Sequence, residues 1–504
     1  MAELCNGNFA VGKSYSSMKL FHVFILNLSI IAATNAQVSS KSPIAEQIKT
    51  MLNEQAANGW AGSVLVARND SVLVEAGYGF ADREAERKQT AFTVFSVGSI
   101  TKQFTAAAIL KLESMGKLST EDRLGKFFPE APKEYADITL HQMLTHTAGF
   151  APALGEDYDA ISAKEYADLV FSIPLNHKPG EEYDYSNVGY SMLGIIVERV
   201  SGMGYEKFLR ENLWLPAKMN RTGYQFPNFT KEDLAVGYRN GNRWGSAIDR
   251  PWMLDGPSWH LRANGGVLST VGDMYRWYQA LTRSTVLPKT ETDKLFVPYV
   301  REDPDGKSNY GYGWVIQYLD GNSMIWHNGG NGAYNANMTF FPRQNICVVV
   351  SSNSNNKISD DIALRVLSIL LDKPEMQPKQ QEYAYTNHPV AMAIYEEIMD
   401  KGAATFKAES KTLLKNAGFD FKDDMLLLGA GEKLMDERRW EEGQALYEVY
   451  TELFPNIVVA WNHLGKCRDG LGDTAGAKTA WEQSVKLRPK DNPASKWLEA
   501  MNHK

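Results

Sequence analysis

Two clusters of strand-like segments lie at opposite ends of a long stretch of chain, and they constrain the fold more than any other feature. Residues 62–68 and 71–76 both contain Val-Leu-Val and flank Asn69-Asp70, a pair typical of a tight hairpin turn. The second cluster comprises residues 313–318, 324–327, 338–341 and 346–351, and turn-like residues interrupt it. Strands at both ends with helix-like segments between them favour an α+β fold. The antiparallel sheet would then be built from both ends of this segment, flanked by helices and an all-helical subdomain.

The composition of the chain is that of a globular protein with more than one domain. Its 504 residues are too many for one ordinary compact domain, and 44% of them are hydrophobic, which is sufficient for a buried core. Asp and Glu outnumber Lys and Arg, 60 to 53, so the charge gives no reason to expect a nucleic-acid partner. The sequence has no Cys-x-x-Cys pair, no cluster among its nine histidines and no phosphate-binding glycine motif. We therefore expect neither a metal nor a cofactor.

An apolar run near the N-terminus has the pattern of a secretory signal. Residues 20–33 are almost uncharged, Lys19 precedes them, and a Thr-Asn-Ala triplet of mostly small residues ends at Ala36. The run is too short to span a bilayer comfortably, since about 20 residues are needed. We predict that residues 1–36 are a signal peptide with an upstream extension, cleaved after Ala36, and Met18 is an alternative start. The mature protein would be secreted or periplasmic, without a stable membrane span.

The C-terminal part of the chain repeats with a period of 34 residues. Pro455 and Pro489 have this spacing, and the same offset relates Leu427 to Trp461, Ala430 to Leu464, Gly431 to Gly465, Gly443 to Ala477 and Tyr447 to Trp481. The period and the order of large, small, aromatic and Pro positions match the tetratricopeptide repeat (TPR). We predict two TPR-like repeats with a capping helix in residues 422–504, and a linker with bracing helices in residues 372–421. The repeats would either bind a protein or peptide partner or brace the preceding domain. Bracing is favoured because two repeats offer only a short groove.

Ser99 and Lys102 are the first candidates for catalysis. They follow a mostly apolar strand-like run and begin a helical pattern, so residues three apart share a face and Lys102 can approach the Ser99 hydroxyl. The N-terminus of a helix also favours developing negative charge. Ser-x-x-Lys recurs at residues 16–19, 114–117 and 354–357, but these copies precede the signal, end a helix or lie in a polar loop. Residues 99–102 are the candidate because they alone follow a strand-like run and begin a helical pattern.

Two further motifs follow in a fixed order, Tyr-Ser-Asn at residues 185–187 and His-Asn-Gly at residues 327–329, the second at the end of a strand-like segment. A lone buried Tyr or His is more often structural. Together with residues 99–102, however, the three motifs resemble those of the serine β-lactamase and DD-peptidase superfamily. The branch they resemble holds class C β-lactamases, D-alanyl-D-alanine carboxypeptidases, D-aminopeptidases and related esterases. Residues 144–149 and 265–270 look like supporting motifs of the same branch, and the resemblance covers residues 43–370 within a domain of residues 37–371.

The resemblance implies a role for each motif residue. Ser99 would be the acylated nucleophile, and Lys102 and Tyr185 would share the proton transfers, with the identity of the base left open. Asn187 would position the Lys102 ammonium and the substrate amide. The remaining substrate-binding positions would be His327, Asn328, Gly329 and Gly330, and the backbone N–H groups of Ser99 and Gly330 would form the oxyanion hole.

The third motif departs from the pattern of class C β-lactamases, which have Lys-Thr-Gly there. Without the permanent cation, the case for a clamp on a β-lactam carboxylate is weaker. The resemblance therefore implies an exported serine hydrolase without cofactor that cleaves an amide or ester bond of a D-amino-acid peptide, an ester or, less efficiently, a β-lactam. The alternative is a catalytically silent penicillin-binding-like domain that presents its repeats to a partner. The presence of Ser99, Lys102, Tyr185 and Gly330 argues against that alternative.

Overall fold

The computed structural model describes residues 38–39, 42–303, 306–354, 358–378, 386–490 and 492–502. The predicted signal segment therefore lies outside the described residues. Residues 37–504 form one compact unit. No helix among the described residues combines the length and the apolar character needed to cross a bilayer.

A nine-stranded sheet dominates the described part of the chain. Its strands are β1 Val38–Ser39, β2 Gly62–Arg68, β3 Ser71–Tyr78, β4 Val300–Arg301, β5 Asn309–Tyr310, β6 Val315–Leu319, β7 Asn322–Asn331, β8 Tyr334–Phe341 and β9 Ile346–Ser352. Their order across the sheet is β1-β3-β2-β9-β8-β7-β6-β5-β4, and every neighbouring pair is antiparallel. The pairing of β2 with β9 joins the two ends of the segment, which confirms the predicted α+β architecture. Three two-stranded ribbons accompany the sheet: Phe80–Asp82 with Arg87–Lys88, Phe95–Ser96 with Leu268–Ser269, and Gly237–Arg239 with Asn242–Gly245.

The hairpin between β2 and β3 forms where the turn signal predicted it. Asn69 and Asp70 both have positive φ, 52° and 60°, which a tight hairpin turn requires and which these two residue types tolerate. By contrast, the predicted strand at residues 324–327 extends to Asn331. Its extension includes Gly329 and Gly330, and pairing with β8 along this whole length offsets the weak strand preference of glycine.

Helices cover both faces of the sheet. Those of the N-terminal part are α1 Pro43–Ala57, α2 Thr101–Ser114, α3 Lys133–Ala136, α4 Leu140–Leu144, α5 Ala163–Ser172, α6 Asn187–Ser201, α7 Tyr205–Leu209, α8 Val271–Thr282, α9 Lys289–Leu295 and α10 Ile358–Leu371. Short turns occur at Gly98–Ile100, Leu124–Lys126, Arg210–Trp214, Ala247–Asp249 and Pro374–Met376. Helices α1 and α10 pack on one face, where Val64, Val66 and Val348 are buried, whereas α2 and α8 cover the face that buries Leu65 and Val349.

The C-terminal helices form stacked helical hairpins. They are α11 Pro389–Lys401, α12 Ala403–Asn416, α13 Met425–Asp436, α14 Trp440–Leu453, α15 Val458–Gly470, α16 Thr474–Leu487 and α17 Pro493–Asn502. The 34-residue spacing recurs as a packing contact, because a Cβ on Gly431 would lie 2.4 Å from the Tyr447 ring and one on Gly465 would lie 2.1 Å from Trp481 Nε1. Helices α11 and α12 pack against α13 and α14 in a shared core. Their assignment to the TPR class stays a prediction.

Candidate active site

Ser99 lies in the short turn Gly98–Ile100, directly before α2, and Lys102 lies in the first turn of that helix. Gly98 has φ +54°, a conformation that glycine adopts without strain and that bends the chain sharply into the helix. The arrangement brings Lys102 Nζ within 3.2 Å of Ser99 Oγ. The structure therefore brings the predicted nucleophile into direct contact with one of the two residues predicted to share the proton transfers.

Lys102 is fully buried, and its Nζ atom has three oxygen partners. Besides Ser99 Oγ, these are Asn187 Oδ1 at 2.7 Å and the carbonyl oxygen of Asn264 at 2.9 Å. Burial lowers the pKa of Lys102 well below its usual value, although the negative charge of Asp157 opposes this effect. The lowered pKa makes the neutral amine, which can accept a proton, more accessible than in an exposed lysine.

Tyr185 precedes α6, and Asn187 is the first residue of that helix. Ser186 caps the helix, since its side chain accepts a hydrogen bond from the Gly189 backbone N–H. The Tyr185 ring centroid lies 4.7 Å from Lys102 Nζ. Loss of solvation raises the pKa of Tyr185, while a hydrogen bond with Ser99 acts in the opposite direction. The Tyr185 hydroxyl is therefore held in its protonated form beside the Ser99 hydroxyl.

His327, on β7, is buried and uncharged. Its Nδ1 atom donates to the Asn328 carbonyl oxygen at 2.5 Å, because a carbonyl can only accept, and Nε2 accepts from the Tyr310 hydroxyl at 2.9 Å. Burial, with a smaller contribution from the charge of Lys102, lowers the pKa of His327 to about 3. The ring centroid lies 6.3 Å from that of Tyr185. The position that is Lys in class C β-lactamases thus holds a neutral side chain here.

The side chain of Asn328 does not lie beside that of His327, and a role of Asn328 in substrate binding stays a prediction. Successive side chains of a strand point to opposite faces, so Asn328 points away from His327 and towards α10. There its Nδ2 atom donates to Asp360 Oδ2 at 2.9 Å. Asp360 also accepts from Asn337 Nδ2 of β8 at 2.7 Å, so the carboxylate joins the two strands behind the site.

Gly329 lets two stretches of backbone approach each other closely. A Cβ at this position would lie 2.0 Å from the Val97 carbonyl oxygen and 2.7 Å from Ser99 N, and one on Gly98 would lie 2.5 Å from Gly330 N. Only residues without a Cβ permit this contact. It brings the amide nitrogens of Ser99 and Gly330 to the same small region, as an oxyanion hole requires.

Several residues of the site carried no signal in the sequence. The His146 ring lies 4.3 Å from the Tyr185 ring, and its Nδ1 atom accepts from the Ser186 backbone N–H at 3.0 Å. Only the supporting motif at residues 144–149 hinted at His146. Tyr310 contributes a hydroxyl and Asn264 a backbone carbonyl, and neither belongs to a recognisable motif. Among the described residues, no group of His, Cys, Asp or Glu side chains could hold a metal ion.

Comparison with known proteins gives related sequences. PbpX of Bacillus subtilis (strain 168), whose name places it among penicillin-binding proteins, is 32% identical over 278 residues, which cover 54% of this chain and 67% of that protein. Penicillin-binding protein 4* of the same organism is 26% identical over 341 residues, which cover 63% of this chain and 74% of that protein.

Solved structures show the same fold. The octameric penicillin-binding protein homologue from Pyrococcus abyssi has a TM-score of 0.54 and 27% identity, covering 70% of this chain and 81% of its own. The D-amino acid amidase from Ochrobactrum anthropi SV3, in complex with L-phenylalanine, has a TM-score of 0.58 and 22% identity, covering 66% of this chain and 99% of its own. Residues 45–372 also match the family model described as Beta-lactamase. Because that match extends over more than half of the chain and includes the three motifs around Ser99, Tyr185 and His327, this protein belongs to the beta-lactamase family of serine hydrolases, together with the penicillin-binding protein homologues.

Proposed function

We propose that this protein cleaves an amide or ester bond of a small acyl substrate through an acyl-enzyme on Ser99. The observation that carries the proposal is the 3.2 Å contact between Lys102 Nζ and Ser99 Oγ at a fully buried lysine. Burial favours the neutral amine, and a neutral amine at this distance can remove the proton of the hydroxyl. The close approach of Gly329 to Ser99 N supports an oxyanion hole at the same place.

The proposed reaction proceeds in two half-reactions. Lys102 takes the Ser99 proton as Oγ attacks the substrate carbonyl carbon, and the Ser99 and Gly330 amides stabilise the negative oxygen. Tyr185 passes a proton to the departing amine or alcohol and is reprotonated by Lys102. The acyl group of the substrate remains bound to Ser99 as an ester. A water molecule then attacks this ester while the same groups accept its proton and return one to Ser99 Oγ. Lys102 is the base in this scheme because burial favours its neutral form and also keeps Tyr185 protonated.

The charge of the site favours substrates other than β-lactams. His327 is neutral, so it offers no permanent cation for the carboxylate of a penicillin. We propose small amides and esters, among them D-amino-acid peptides, as the main substrates, with β-lactams turned over less efficiently. An oxyanion hole and a buried lysine serve all of these compounds, so the substrate class depends on the pocket around them.

The C-terminal helices are proposed to brace the catalytic domain. Asn242, in the ribbon Asn242–Gly245, donates to Asp436 Oδ2 at 3.1 Å and accepts a hydrogen bond from Lys433 Nζ. Arg83 donates to Asn387 Oδ1 at 2.8 Å at the same junction. These polar contacts support bracing over the presentation of a partner-binding groove. Export, with cleavage after Ala36, is also proposed and agrees with the similarity to penicillin-binding proteins.

Mass spectrometry of residues 37–504, mixed with a penicillin and an activated ester, tests the proposal, with Ser99→Ala in parallel. We expect an adduct or a hydrolysed product that depends on Ser99. Absence of both with each compound, and with a panel of D-amino-acid peptides, would contradict the proposal and favour the catalytically silent alternative.

A further inference from the structure

The loop of residues 150–162 is anchored to two elements of the active site. Its Pro152 carbonyl accepts from the Asn187 backbone N–H at 2.8 Å, which joins the loop to the start of α6. Further along, the Tyr158 hydroxyl donates to Asn331 Oδ1 at 3.2 Å, at the end of β7. The loop therefore connects the helix that carries Asn187 with the strand that carries His327, and Asp157, between its two anchors, interacts electrostatically with Lys102.

Asp157 is the acidic residue between these anchors, and it is half-buried. Its carboxylate has no hydrogen-bond or ion-pair partner among the described residues, and the titratable groups that act on it are Glu156, His260 and Lys102. Burial, with a contribution from Glu156, raises the pKa of Asp157, while His260 and Lys102 lower it. An unpaired carboxylate in this environment loses hydration without gaining a partner, which is unfavourable in the free protein.

His260 provides a second unsatisfied polar group next to the same loop. The ring is only 8% exposed, and its buried Nδ1 atom has no hydrogen-bond partner. A Cβ on Gly155 would lie 2.6 Å from Nε2, so the loop backbone touches the ring. A buried polar group without a partner requires an explanation, and beside the unpaired carboxylate of Asp157 a bound donor would satisfy both groups.

We propose that Asp157 binds the ammonium group of a substrate whose scissile carbonyl is held at Ser99. The inference rests on the proposed hydrolase function and narrows its substrates to amides, esters and peptides of amino acids with a free amino group. A primary ammonium has three donors, and the Asp157 carboxylate with the His260 ring nitrogen offers acceptors for them. The neutral His327 agrees with this assignment, because it would not repel a cation.

A pair of substrates that differ only in the amine tests the proposal. The kcat/KM values of alanine p-nitroanilide and N-acetylalanine p-nitroanilide, each as D and L enantiomer, are measured for the wild type, Asp157→Asn and Glu156→Gln. We expect the wild type to prefer the free amine, and Asp157→Asn to lower that preference about 10- to 100-fold, as for the loss of a hydrogen bond between charged groups. Glu156 is exposed and adjacent, so Glu156→Gln should leave the preference within about twofold, the size of a screened surface charge effect.

The ratio of the two substrates separates recognition from catalysis. An effect of Asp157 on the basicity of Lys102 in the free enzyme changes both rates equally and cancels in the ratio, whereas an effect that depends on a bound ammonium appears in the ratio and itself requires the amine at Asp157. Equal rates for the two anilides in the wild type, or an equal fall of both rates in Asp157→Asn, would overturn the inference. If neither anilide is cleaved, inhibition of p-nitrophenyl acetate hydrolysis by alaninamide and by N-acetylalaninamide is compared, and equal inhibition overturns it.

Hydrolysis of p-nitrophenyl acetate also separates the test of the hydrolase function from the test of the preference for a free amine. If the wild type cleaves this ester but Ser99→Ala does not, the hydrolase function stands while the preference for an amine is judged by the ratio alone. Absence of any reaction that depends on Ser99 would overturn the hydrolase function and, with it, the inference. A substrate with a C-terminal carboxylate, N-acetyl-D-alanyl-D-alanine, serves as the opposite charge type, and preference for it over the free amine would also overturn the inference.

Discussion

Asn187 accepts a hydrogen bond from Lys102 at 2.7 Å and therefore sets how readily the buried lysine carries a charge. Replacement of Asn187 by Ala removes one of the three oxygen partners of Nζ. A hydrogen bond to a charged group is worth about 1.5–3 kcal/mol, and a pKa unit corresponds to about 1.4 kcal/mol. We therefore expect Asn187→Ala to lower the pKa of Lys102 by about 1 to 2 units.

Replacement of Asn187 by Asp should have the opposite effect. The side chain keeps its shape but places a negative charge beside Nζ, and an opposite charge this close raises the pKa of a lysine by about 1 to 3 units. The two variants occupy one position, so they serve as controls for each other. Melting temperatures of both variants establish that each is folded.

The assay is the pH dependence of kcat/KM for an activated ester. If Lys102 is the base, it must lose its proton before it can act, so activity rises with pH through the pKa of Lys102. A lower pKa then moves this rise to lower pH in Asn187→Ala, and a higher pKa moves it to higher pH in Asn187→Asp. Shifts in the same direction, or a rise that stays in place while the rates fall, would refute the assignment of Lys102 as the base.

Three further predictions concern the glycine contact, acid stability and the C-terminal helices. Gly329→Ala should abolish acylation and cost about 3 kcal/mol of stability, because the new Cβ would meet backbone at Val97. Gly330→Ala should fold and retain activity, because its Cβ would have no neighbour closer than 3.8 Å. Acylation rates and denaturant unfolding of the two variants check this prediction. His327 has a pKa of about 3 in the folded protein and 6.5 as its ordinary value, so between these values the unfolded state binds more protons. Acidification through this range should therefore lower the free energy of unfolding by up to about 1.4 kcal/mol per pH unit. His327→Gln should reduce this slope in denaturant titrations. A chain ending at Leu371 should melt at a lower temperature with a parallel loss of activity, and unchanged melting would contradict bracing by the C-terminal helices.

The sheet could be predicted from the sequence because its signals are local. Short continuous apolar runs mark β2 and β9, and the Asn69-Asp70 turn adopts the positive φ values that such pairs favour. The extent of β7 could not be predicted, because Gly329 and Gly330 have weak strand preference and are held by pairing with β8, a contact between distant elements. The edge strands β1 and β4 and the adjacent strand β5 have two residues each, too few for any periodicity to appear.

The site could be predicted only where motif residues act through their own side chains. Ser99 and Asn187 are both within hydrogen-bond distance of Lys102 Nζ, as the motif order implied. Asn328 is a motif residue whose side chain turns away, and only the alternation of β7, whose extent was not known, would have placed it against α10. The partner of His327, Tyr310, lies on a two-residue strand, so nothing in the sequence connects the two.

One physical cause acts in opposite directions on the two groups that could serve as the base. Burial disfavours charge, so it lowers the pKa of Lys102 and raises the pKa of Tyr185. The neutral amine of Lys102 is therefore the more accessible acceptor for the Ser99 proton, since a tyrosinate would have to form against the same desolvation. The charge of Asp157 opposes the neutral lysine, but a bound ammonium would neutralise that carboxylate. A substrate amine at Asp157 would consequently lower the pKa of Lys102 further and favour the neutral base at the moment when the scissile carbonyl reaches Ser99.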